Sequence, residues 1–478
     1  MDTVSFAKRA ARGLVLFLLV AACTKSESEQ SMVRKGDVDF WVTHGDRTAL
    51  LRKSETGLMF NAQISSLPVI EIDTTHRFQS MDGFGFSLTG GSAMLIHRLD
   101  AVQQDSLLRE LFLTDADHIG ISYLRISLGA SDLDDHVFSY ADMPKGKSDR
   151  ALFTFSLKED QKYLIPVLKK IVALAPDIRI MASPWSAPAW MKTNESPKGG
   201  SLRADYYPAY ADYFVKYIQG MKQEGIVIDA ITLQNEPENP KNNPSMLMTA
   251  GEQAVFVKDH LGPAFEKAGL QTKIVVYDHN CDHPEYPIAV LDDADAKAFI
   301  DGAAFHLYLG EIGALSKVHD AHPDRNIYFT EQWTSPESSF EGDLRWHTRH
   351  LVVGASRNWS RNVLEWNLAA DPQFNPHTDE GGCTMCQGAL TLGKGEIVRH
   401  VSYYIIAHAS RWVRPGSVRL ASTEVADLPN VAFITPAGEK VMIVLNDSEG
   451  EKKFLIKAGS RVAQAALQKG SVATYVWR

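Results

Sequence analysis

The sequence predicts a (β/α)8 TIM barrel with an antiparallel β-sandwich side domain that both chain ends form. Three observations support this prediction. Eight strand-like apolar runs alternate with helical periodicity in the middle of the 478-residue chain. Short alternating runs without helical spacing occupy both ends. Hydrophobic residues make up 45% of the chain and charged residues 22%, a composition that can bury a large core.

The eight candidate barrel strands are apolar runs of four or five residues. Because helical patterns separate them, they are expected to run parallel and to close into a barrel over residues 76–412. The runs are Gly83–Phe86, Tyr123–Ser127, Ile178–Ala182, Ala230–Leu233, Ile274–Tyr277, Gly302–His306, Ile327–Thr330 and Asn362–Trp366.

Two helices between these strands are predicted from apolar residues at helical spacing. Residues 161–175 place Leu164, Leu168 and Ile171 on one stripe, and Pro166 is compatible only with a first turn. Residues 206–223 carry aromatic side chains at the same spacing.

Both chain ends contain strand-like runs but too few to form a domain alone. The N-terminal runs lie at 38–42, 49–51 and 68–72, and the C-terminal runs lie at 431–435, 440–446 and 472–477. We therefore predict that residues 37–75 and 413–478 meet in one β-sandwich beside the barrel.

The first residues have the pattern of an export signal. Lys8, Arg9 and Arg12 precede an apolar stretch at 13–20 that is too short to span a bilayer. The following Val-Ala-Ala-Cys at 20–23 resembles a bacterial lipobox. We expect residues 1–22 to be a lipoprotein signal peptide, Cys23 to be lipidated and residues 23–36 to be a tether; ordinary cleavage nearby is the alternative. Thr24 after the cysteine favours an exported outer-membrane lipoprotein, periplasmic or cell-surface, held to the membrane only by its lipid.

The net charge of −9, without a compensating basic block, argues against a nucleic-acid partner. Cys383 and Cys386 are spaced for a small disulfide or for two thiols, and Cys281 is left over. Asp278, His279, Asp282 and His283 resemble metal ligands. However, no His-x-His pair occurs near the first strand, so we expect no catalytic metal and no cofactor.

Glu236 and Glu331 each follow a predicted strand, the fourth and the seventh. Carboxyl ends of barrel strands meet at one mouth, where active sites form. Two carboxyl groups at such a mouth are what glycoside hydrolysis requires: an acid for the leaving oxygen and a nucleophile for the sugar. An ionised Glu331 should raise the pKa of Glu236, so we predict Glu236 as acid/base and Glu331 as nucleophile. Asn235 is placed to hydrogen-bond the sugar 2-hydroxyl.

Longer motifs resemble glycoside hydrolase family 30, which includes lysosomal glucosylceramidase and bacterial β-1,6-glucanases. The similar stretches include YLRISLGASDLDD at 123–135, ASPWSAPAWMKTN at 182–194, TLQNEPE at 232–238, YFTEQW at 328–333 and EWNLAAD at 365–371. The resemblance covers residues 78–478 and implies a TIM barrel with a β-sandwich from both ends, in agreement with the strand pattern.

The resemblance also implies a carbohydrate-binding pocket. Arg125 is expected to orient a catalytic glutamate and Asp132 to accept from sugar hydroxyls. Trp185 and Trp366 are expected to stack on pyranose rings, with ordinary core tryptophans as the alternative. His306 and Tyr308 share one strand face and should border the nucleophile.

We therefore expect a retaining β-glucoside hydrolase. The expected substrates are β-1,6-glucan first and glucosylceramide-like molecules second. A xylan-directed or other β-glycan hydrolase of the same family is the first alternative, and a non-catalytic glycan-binding lipoprotein is the second. Linkage, chain-length preference and oligomeric state do not follow from the sequence.

Overall fold

A computed structural model describes residues 36–393 and 395–478 of the chain. The predicted signal peptide at 1–22, Cys23 and the predicted tether up to residue 35 lie outside the described residues. Within the described part, no helix is both long and apolar enough to cross a membrane.

The strands of the described residues are numbered in chain order. They are β1 (Asp39–Thr43), β2 (Arg52–Lys53), β3 (Val69–Ser80), β4 (Gly83–Ser87), β5 (Tyr123–Ser127), β6 (Arg179–Ser183), β7 (Ala230–Thr232), β8 (Lys273–Cys281), β9 (Ile300–Gly310), β10 (Asn326–Glu331), β11 (Ser360–Asn367), β12 (Ala369–Ala370), β13 (Leu390–Leu392), β14 (Ile397–Arg399), β15 (Val418–Ser422), β16 (Asn430–Ile434), β17 (Lys440–Leu445), β18 (Lys452–Ala458), β19 (Arg461–Leu467) and β20 (Val472–Trp477).

The α-helices are numbered in the same way, and two of them continue into π-helical turns at Val257–Leu261 and Thr348–Ala355. They are α1 (Gly90–His97), α2 (Ala101–Phe112), α3 (Leu164–Leu174), α4 (Tyr207–Gln223), α5 (Ala250–Phe256), α6 (Gly262–Ala268), α7 (Glu285–Asp292), α8 (Ala294–Lys297), α9 (Ala314–Ala321), α10 (Phe340–His347) and α11 (Val401–Ser410).

Strands β4 to β11 form a closed parallel barrel in which β11 pairs back onto β4. All eight predicted barrel strands are confirmed. The two predicted helices are confirmed as α3 and α4, with Pro166 in the first turn of α3 and Leu164, Leu168 and Ile171 buried. The barrel therefore follows from the alternation of strand and helix periodicity.

The side domain contains one nine-stranded sheet, with the strands in the order β19-β18-β3-β15-β16-β17-β20-β1-β2. Strand β1 pairs with β20, and β3 pairs with β15 and β18, so both chain ends build the sheet as predicted. Its core contains Ile70 and Ile72 from one end and Met442, Phe454 and Tyr475 from the other. The two ends thus share one hydrophobic core.

The sheet differs from the prediction in three ways. Strands β3 and β18 run parallel, so the sheet is not wholly antiparallel. This is possible because all eight barrel strands lie between β3 and β18 in the sequence, so the chain has room to return and run in the same direction. The run at 49–51 is not a strand; only Arg52–Lys53 pairs there. Strands β15, β18 and β19 were not among the predicted runs, and β3 continues to Ser80, past the predicted boundary at residue 75.

Candidate active site

A cavity of about 170 Å³ lies at the carboxyl ends of the barrel strands. Both Glu236 and Glu331 line it, and each is almost fully buried. A pocket at this end of a TIM barrel is the usual place for chemistry. Its other lining residues are Asp132, Trp185, Asn242, Tyr308, Trp333, Trp366, Cys383 and Cys386.

Strand alternation explains why polar side chains converge below this cavity. One residue from each of seven consecutive strands contributes to a separate apolar cluster inside the barrel. Because side chains alternate along a strand, the residue two positions later faces the same interior, one layer nearer the mouth. The apolar cluster is Tyr123, Met181, Ala230, Val275, Ala304, Tyr328 and Leu364. The layer above it includes Arg125, Ser183, Thr232, His306, Thr330 and Trp366.

Arg125 is fully buried and fixes three oxygen atoms around the cavity floor. Its Nη1 donates to Glu331 Oε2 at 2.5 Å, and its Nη2 donates to Asn235 Oδ1 at 2.5 Å and to Asp278 Oδ2 at 2.8 Å. Charge-assisted hydrogen bonds of this kind are short and directional. Arg125 therefore holds the Glu331 carboxylate in place, as the resemblance predicts.

Asp278 anchors this network from below. Its Oδ2 also accepts from Thr232 Oγ1 at 2.7 Å, and its Oδ1 accepts from Thr330 Oγ1 at 2.7 Å. Burial is the largest single influence and disfavours its charge, but the Arg125 and His306 cations and the hydrogen bonds from His306 and Thr330 together lower the pKa of Asp278 well below its usual value. Asp278 is therefore a carboxylate that neutralises the cation under the cavity.

His306 lies between the two glutamates and Asp278. Its Nδ1 is 3.3 Å from Glu236 Oε1 and 3.6 Å from Glu331 Oε1, and its Nε2 is 3.2 Å from Asp278 Oδ1. Burial alone would keep this imidazole neutral, but the Glu331 charge and the contacts with Asp278 and Glu236 raise its pKa to about 9. His306 is thus a buried imidazolium at neutral pH.

The shared nitrogen also limits the separation of the two glutamates. Both oxygens lie within 3.6 Å of His306 Nδ1, so they are at most about 7 Å apart. Retaining glycosidases have carboxyl groups about 5–5.5 Å apart, whereas inverting enzymes need about 6.5–9.5 Å. The limit of about 7 Å excludes most of the carboxyl separations that inverting enzymes need.

The expectation that Glu331 raises the pKa of Glu236 is wrong for the ligand-free site. Burial acts in that direction, but the hydrogen bond and charge of His306 and the hydrogen bond from Asn239 lower the pKa of Glu236 to about 2. Its Oε2 accepts from Asn239 Nδ2 at 2.7 Å and from Asn242 Nδ2 at 3.1 Å. The proton nearest to Glu236 therefore resides on His306.

The pKa of Glu331 shifts in the opposite direction from that of Glu236. Its burial, supported by the charges of Glu236 and Asp278, raises its pKa in spite of the nearby His306 and Arg125 cations. Tyr308 donates its hydroxyl proton to Glu331 Oε1 at 3.0 Å. His306 and Tyr308 share one face of the strand, as alternation predicts, and both contact Glu331, the residue that the resemblance led us to expect beside them.

The tryptophans form a wall rather than two separate platforms. The Trp185 and Trp366 rings stack on each other with centroids 5.4 Å apart, and the Arg125 guanidinium lies 4.8 Å from the Trp185 centroid. Trp185 is only 2% exposed, so these neighbours cover its ring. Trp333, half-buried and absent from the predicted residues, is the more accessible indole on the cavity.

The loop after β12 packs beside the tryptophans and completes the cavity lining. Cys383 and Cys386 are joined in a disulfide, which resolves the two alternatives left open by their spacing, and Cys281 is a buried free thiol. Thr378 in the same loop donates its backbone N–H to the Asp132 carbonyl at 2.9 Å. Burial and the charges of Glu331 and Glu236 raise the pKa of the Asp132 carboxyl to about 7.

Comparison with known proteins identifies the family. Residues 81–413 match the model described as Glycosyl hydrolase family 30 TIM-barrel domain, and residues 416–475 match the Glycosyl hydrolase family 30 beta sandwich domain. The chain belongs to glycoside hydrolase family 30. Members of family 30 are glycosidases, so the protein is an O-glycosyl hydrolase.

The similar proteins include endo-1,6-β-glucanases and glucosylceramidases. An endo-1,6-β-D-glucanase of Aspergillus fumigatus is 32% identical over 406 residues, 80% of this chain and 81% of the relative. Lysosomal acid glucosylceramidase of Mus musculus is 27% identical over 437 residues, 86% and 83% of the two chains. A solved endo-β1,6-glucanase structure has a TM-score of 0.84 and 33% identity, and the match covers 93% of this chain and 99% of that chain.

The structure brings the predicted site residues of this family 30 protein together. Asn235 is buried beside Arg125, and no hydrogen bond joins its Nδ2 to another described residue, which leaves that amide for a ligand. Sequence reasoning missed the roles of Asp278, Asn239, Asn242 and Trp333. The sequence pattern groups Asp278 with possible metal ligands, but in the structure it binds Arg125 instead.

Of the remaining residues in that group, His283 pairs with Glu238 at the surface, at 2.9 Å, whereas His279 Nδ1 lies 3.9 Å from Glu236 Oε1. The four residues therefore do not form one metal site. His279 instead joins Glu236 and His306 in a different trio, whose ligand atoms all lie within 4.8 Å of one another.

Proposed function

We propose that this family 30 enzyme is a retaining β-glycoside hydrolase that acts on β-glucosides by a double displacement between Glu331 and Glu236. The observation that supports this most directly is the His306 imidazole, which both carboxylates approach from the same cavity. A separation of at most about 7 Å leaves little room for a water between nucleophile and sugar, as inversion would need.

In the first step, a Glu331 oxygen attacks the anomeric carbon while the glycosidic C–O bond breaks and Glu236 protonates the leaving oxygen. In the second step, Glu236 removes a proton from water, the water oxygen bonds to the anomeric carbon, and the bond to Glu331 breaks. The sugar leaves with its original anomeric configuration, and both glutamates return to their starting states.

The contact between Glu236 and His306 supplies the proton for the first step. In the ligand-free site the proton is on His306 Nδ1, held there mainly by the Glu331 charge. As Glu331 bonds to the sugar, its charge is consumed and the imidazolium loses that stabilisation. Transfer from Nδ1 to Glu236 then accompanies transfer from Glu236 to the leaving oxygen. In the second step, the proton that Glu236 takes from water returns to His306 Nδ1 as the Glu331 carboxylate is restored, which closes the cycle.

We infer β-1,6-glucan as the first substrate class. Endo-1,6-β-D-glucanases of Aspergillus fumigatus and Trichoderma harzianum are each 32% identical to this chain, above the 27% of the murine glucosylceramidase. Glucosylceramide-like β-glucosides are the second candidate. An exported, lipid-anchored protein with Cys23 as its attachment site would meet such polymers outside the inner membrane, and this localisation belongs to the proposal.

Two substitutions test the roles. Glu331→Gln should abolish hydrolysis of aryl β-glucosides. Glu236→Gln should slow substrates with poor leaving groups by about 10²–10⁴-fold and should respond to azide when the leaving group is good. The exposed neighbours provide matched controls: Glu337→Gln and Glu238→Gln should retain activity. If wild type and Glu331→Gln are equally inert while glycan binding persists, the protein is a non-catalytic binder.

Two further measurements address stereochemistry and substrate. NMR of the first-formed product should show the β-anomer, and an early α-anomer would contradict retention. Product sizes from β-1,6-glucan, β-1,3-glucan, xylan and glucosylceramide rank the substrates. If xylan is cleaved in preference to β-1,6-glucan, the protein is a xylan-directed hydrolase of the same family.

A further inference from the structure

We propose that Glu236, His279 and His306 form a binding site for a borderline divalent cation, with Zn²⁺ as the best match, and that the bound cation blocks hydrolysis. Two imidazoles and one carboxylate form a ligand set that Zn²⁺ accepts in proteins, with a fourth position left for water. The cation site follows from geometry alone; the block rests on the proposed acid/base role of Glu236.

The distances agree with a zinc coordination sphere. Ligand bonds of about 2.0–2.2 Å in a tetrahedron place neighbouring ligand atoms roughly 3.3 Å apart. His306 Nδ1 lies 3.3 Å from Glu236 Oε1, and His279 Nδ1 lies 3.9 Å from the same oxygen. The ligand atoms of all three residues lie within 4.8 Å of one another, so binding one ion requires them to move closer together.

His279 provides the second, independent observation. Its side chain is nine-tenths buried, and its Nδ1 has no hydrogen-bond partner among the described residues. An imidazole nitrogen buried without a partner costs free energy unless something binds it. Its position beside Glu236 Oε1 directs this nitrogen at the proposed ion.

His306 is already oriented as a metal ligand. Its Nε2 lies 3.2 Å from Asp278 Oδ1, so a proton on Nε2 is donated to a carboxylate and Nδ1 is left for the cation. Carboxylate–histidine–metal arrangements of this kind fix the ring and increase the basicity of the ligating nitrogen. Binding releases the Nδ1 proton to solvent.

The cation would occupy the same atoms that proton transfer needs. Glu236 lines the substrate cavity, so an ion bound to its carboxylate would lie beside the space where the sugar binds. With Glu236 Oε1 and His306 Nδ1 both bonded to the metal, neither atom is free to pass a proton to the leaving oxygen. The ion would therefore inhibit without acting in the reaction.

Calorimetric titration of chelator-treated full-length protein with ZnCl₂ tests the site. We expect one tight Zn²⁺ per chain in wild type and at least a tenfold weaker affinity in His279→Gln, since even outer-sphere changes cost about 10–100-fold. His283→Gln is the matched control. His283 follows His279 by four residues, just beyond the end of β8, but it is exposed and pairs with Glu238 instead. Equal affinity in wild type and His279→Gln would overturn the site.

Glu236→Gln provides a second variant should His279→Gln fail to fold. It should also lose the tight Zn²⁺, while Glu238→Gln should keep it; retention by Glu236→Gln would overturn the site. In parallel, Zn²⁺ should inhibit cleavage of an aryl β-glucoside and a chelator should restore it. A chelator-treated, metal-free wild type that is inert yet takes up one Zn²⁺ would refute the hydrolase proposal alone, whereas an active enzyme without tight Zn²⁺ would refute this inference alone.

Discussion

Asp278 and Arg125 form a fully buried ion pair beneath the cavity, with Asp278 Oδ2 2.8 Å from Arg125 Nη2. The same guanidinium holds Glu331 through Nη1. Because Asp278 neutralises Arg125 from the side away from the cavity, the cation orients Glu331 without cancelling its charge. The position of the proposed nucleophile thus depends on a residue that does not touch the substrate.

Asp278→Asn should impair catalysis through this contact. The uncompensated guanidinium would bind Glu331 more strongly and reduce its nucleophilicity, so we expect kcat to fall about 10–100-fold, as for other supporting contacts. The free energy of unfolding should also fall by about 3–5 kcal/mol, because one partner of a buried pair is lost. Steady-state kinetics and chemical denaturation provide the measurements.

Asp301→Asn is the control for this prediction. Asp301 accepts a hydrogen bond from the Tyr328 hydroxyl on the neighbouring strand but lies away from the cavity. Its variant should keep kcat. An Asp278→Asn enzyme that loses stability but retains full kcat would show that Asp278 supports only the fold.

His306 should make the stability of the protein depend on pH. Its pKa is raised from 6.5 to about 9 in the folded state. Such a group contributes stability that is complete below about pH 6.5 and is lost as pH rises through about 9, where the folded protein no longer holds the extra proton. Thermal melts should therefore decline over this range by an amount equivalent to a few kcal/mol.

A matched variant isolates this contribution. His306→Gln should reduce stability at pH 6 and flatten the decline between pH 6.5 and 9. The exposed His76, changed to Gln, should leave the pH profile of wild type intact. A decline of the same size in His306→Gln would assign it to other groups, and the buried imidazolium would then be refuted.

The sequence was sufficient for the barrel because period-two runs and helical stripes are local signals. It also located both glutamates, since each directly follows a strand. Asp278 was misjudged because strict alternation from Val275 turns it away from the barrel interior. The structure breaks that alternation: Tyr277 and Asp278 have positive φ angles of 73° and 64°, and the pairing register shifts there.

The pKa of Glu236 was beyond sequence reasoning for a different reason. Its value depends on which neighbour is nearest, and spacing along the chain does not show that His306 lies closer than any other charged group. Of the missed strands, β15 and β18 pair with β3, far away in sequence, and β19 joins the sheet through its hairpin with β18. Long-range contacts therefore account for most of what the sequence did not reveal.

Trp333 should contribute to substrate binding. It is the half-buried indole on the cavity, while Trp185 is covered by Trp366 and Arg125. Loss of one aromatic stacking contact costs about 1.4 kcal/mol of binding free energy, which corresponds to a tenfold loss in affinity. Trp333→Ala should therefore raise KM about tenfold with a smaller change in kcat.

Trp346→Ala is the appropriate control, because Trp346 is an exposed tryptophan on α10 that does not line the cavity. It should leave KM unchanged. If Trp333→Ala instead lowers kcat and preserves KM, its indole acts in the transition state and the stacking role is wrong.

The Cys383–Cys386 disulfide should maintain the cavity wall. Both residues line the cavity and pack with Trp366 in one buried cluster, so the bridge restrains the wall facing Glu236 and Glu331. We expect the double variant Cys383→Ser/Cys386→Ser to raise KM several-fold and to lower stability by about 2 kcal/mol, the amount estimated for so short a closed loop. A reductant should raise the KM of wild type in the same way.

The double variant also provides the control for the reductant, because its kinetics should not respond to further reduction. Cys281→Ser tests whether the remaining free thiol contributes to the effect of the reductant. Cys281 is buried, and burial raises its pKa far above its usual value, so little reactive thiolate is present. That variant should respond to reductant as wild type does. If the double variant still responds to reductant, the change in KM does not come from this disulfide. If its KM is unchanged, the loop keeps its shape through other contacts, such as the hydrogen bond from the Thr378 N–H to the Asp132 carbonyl.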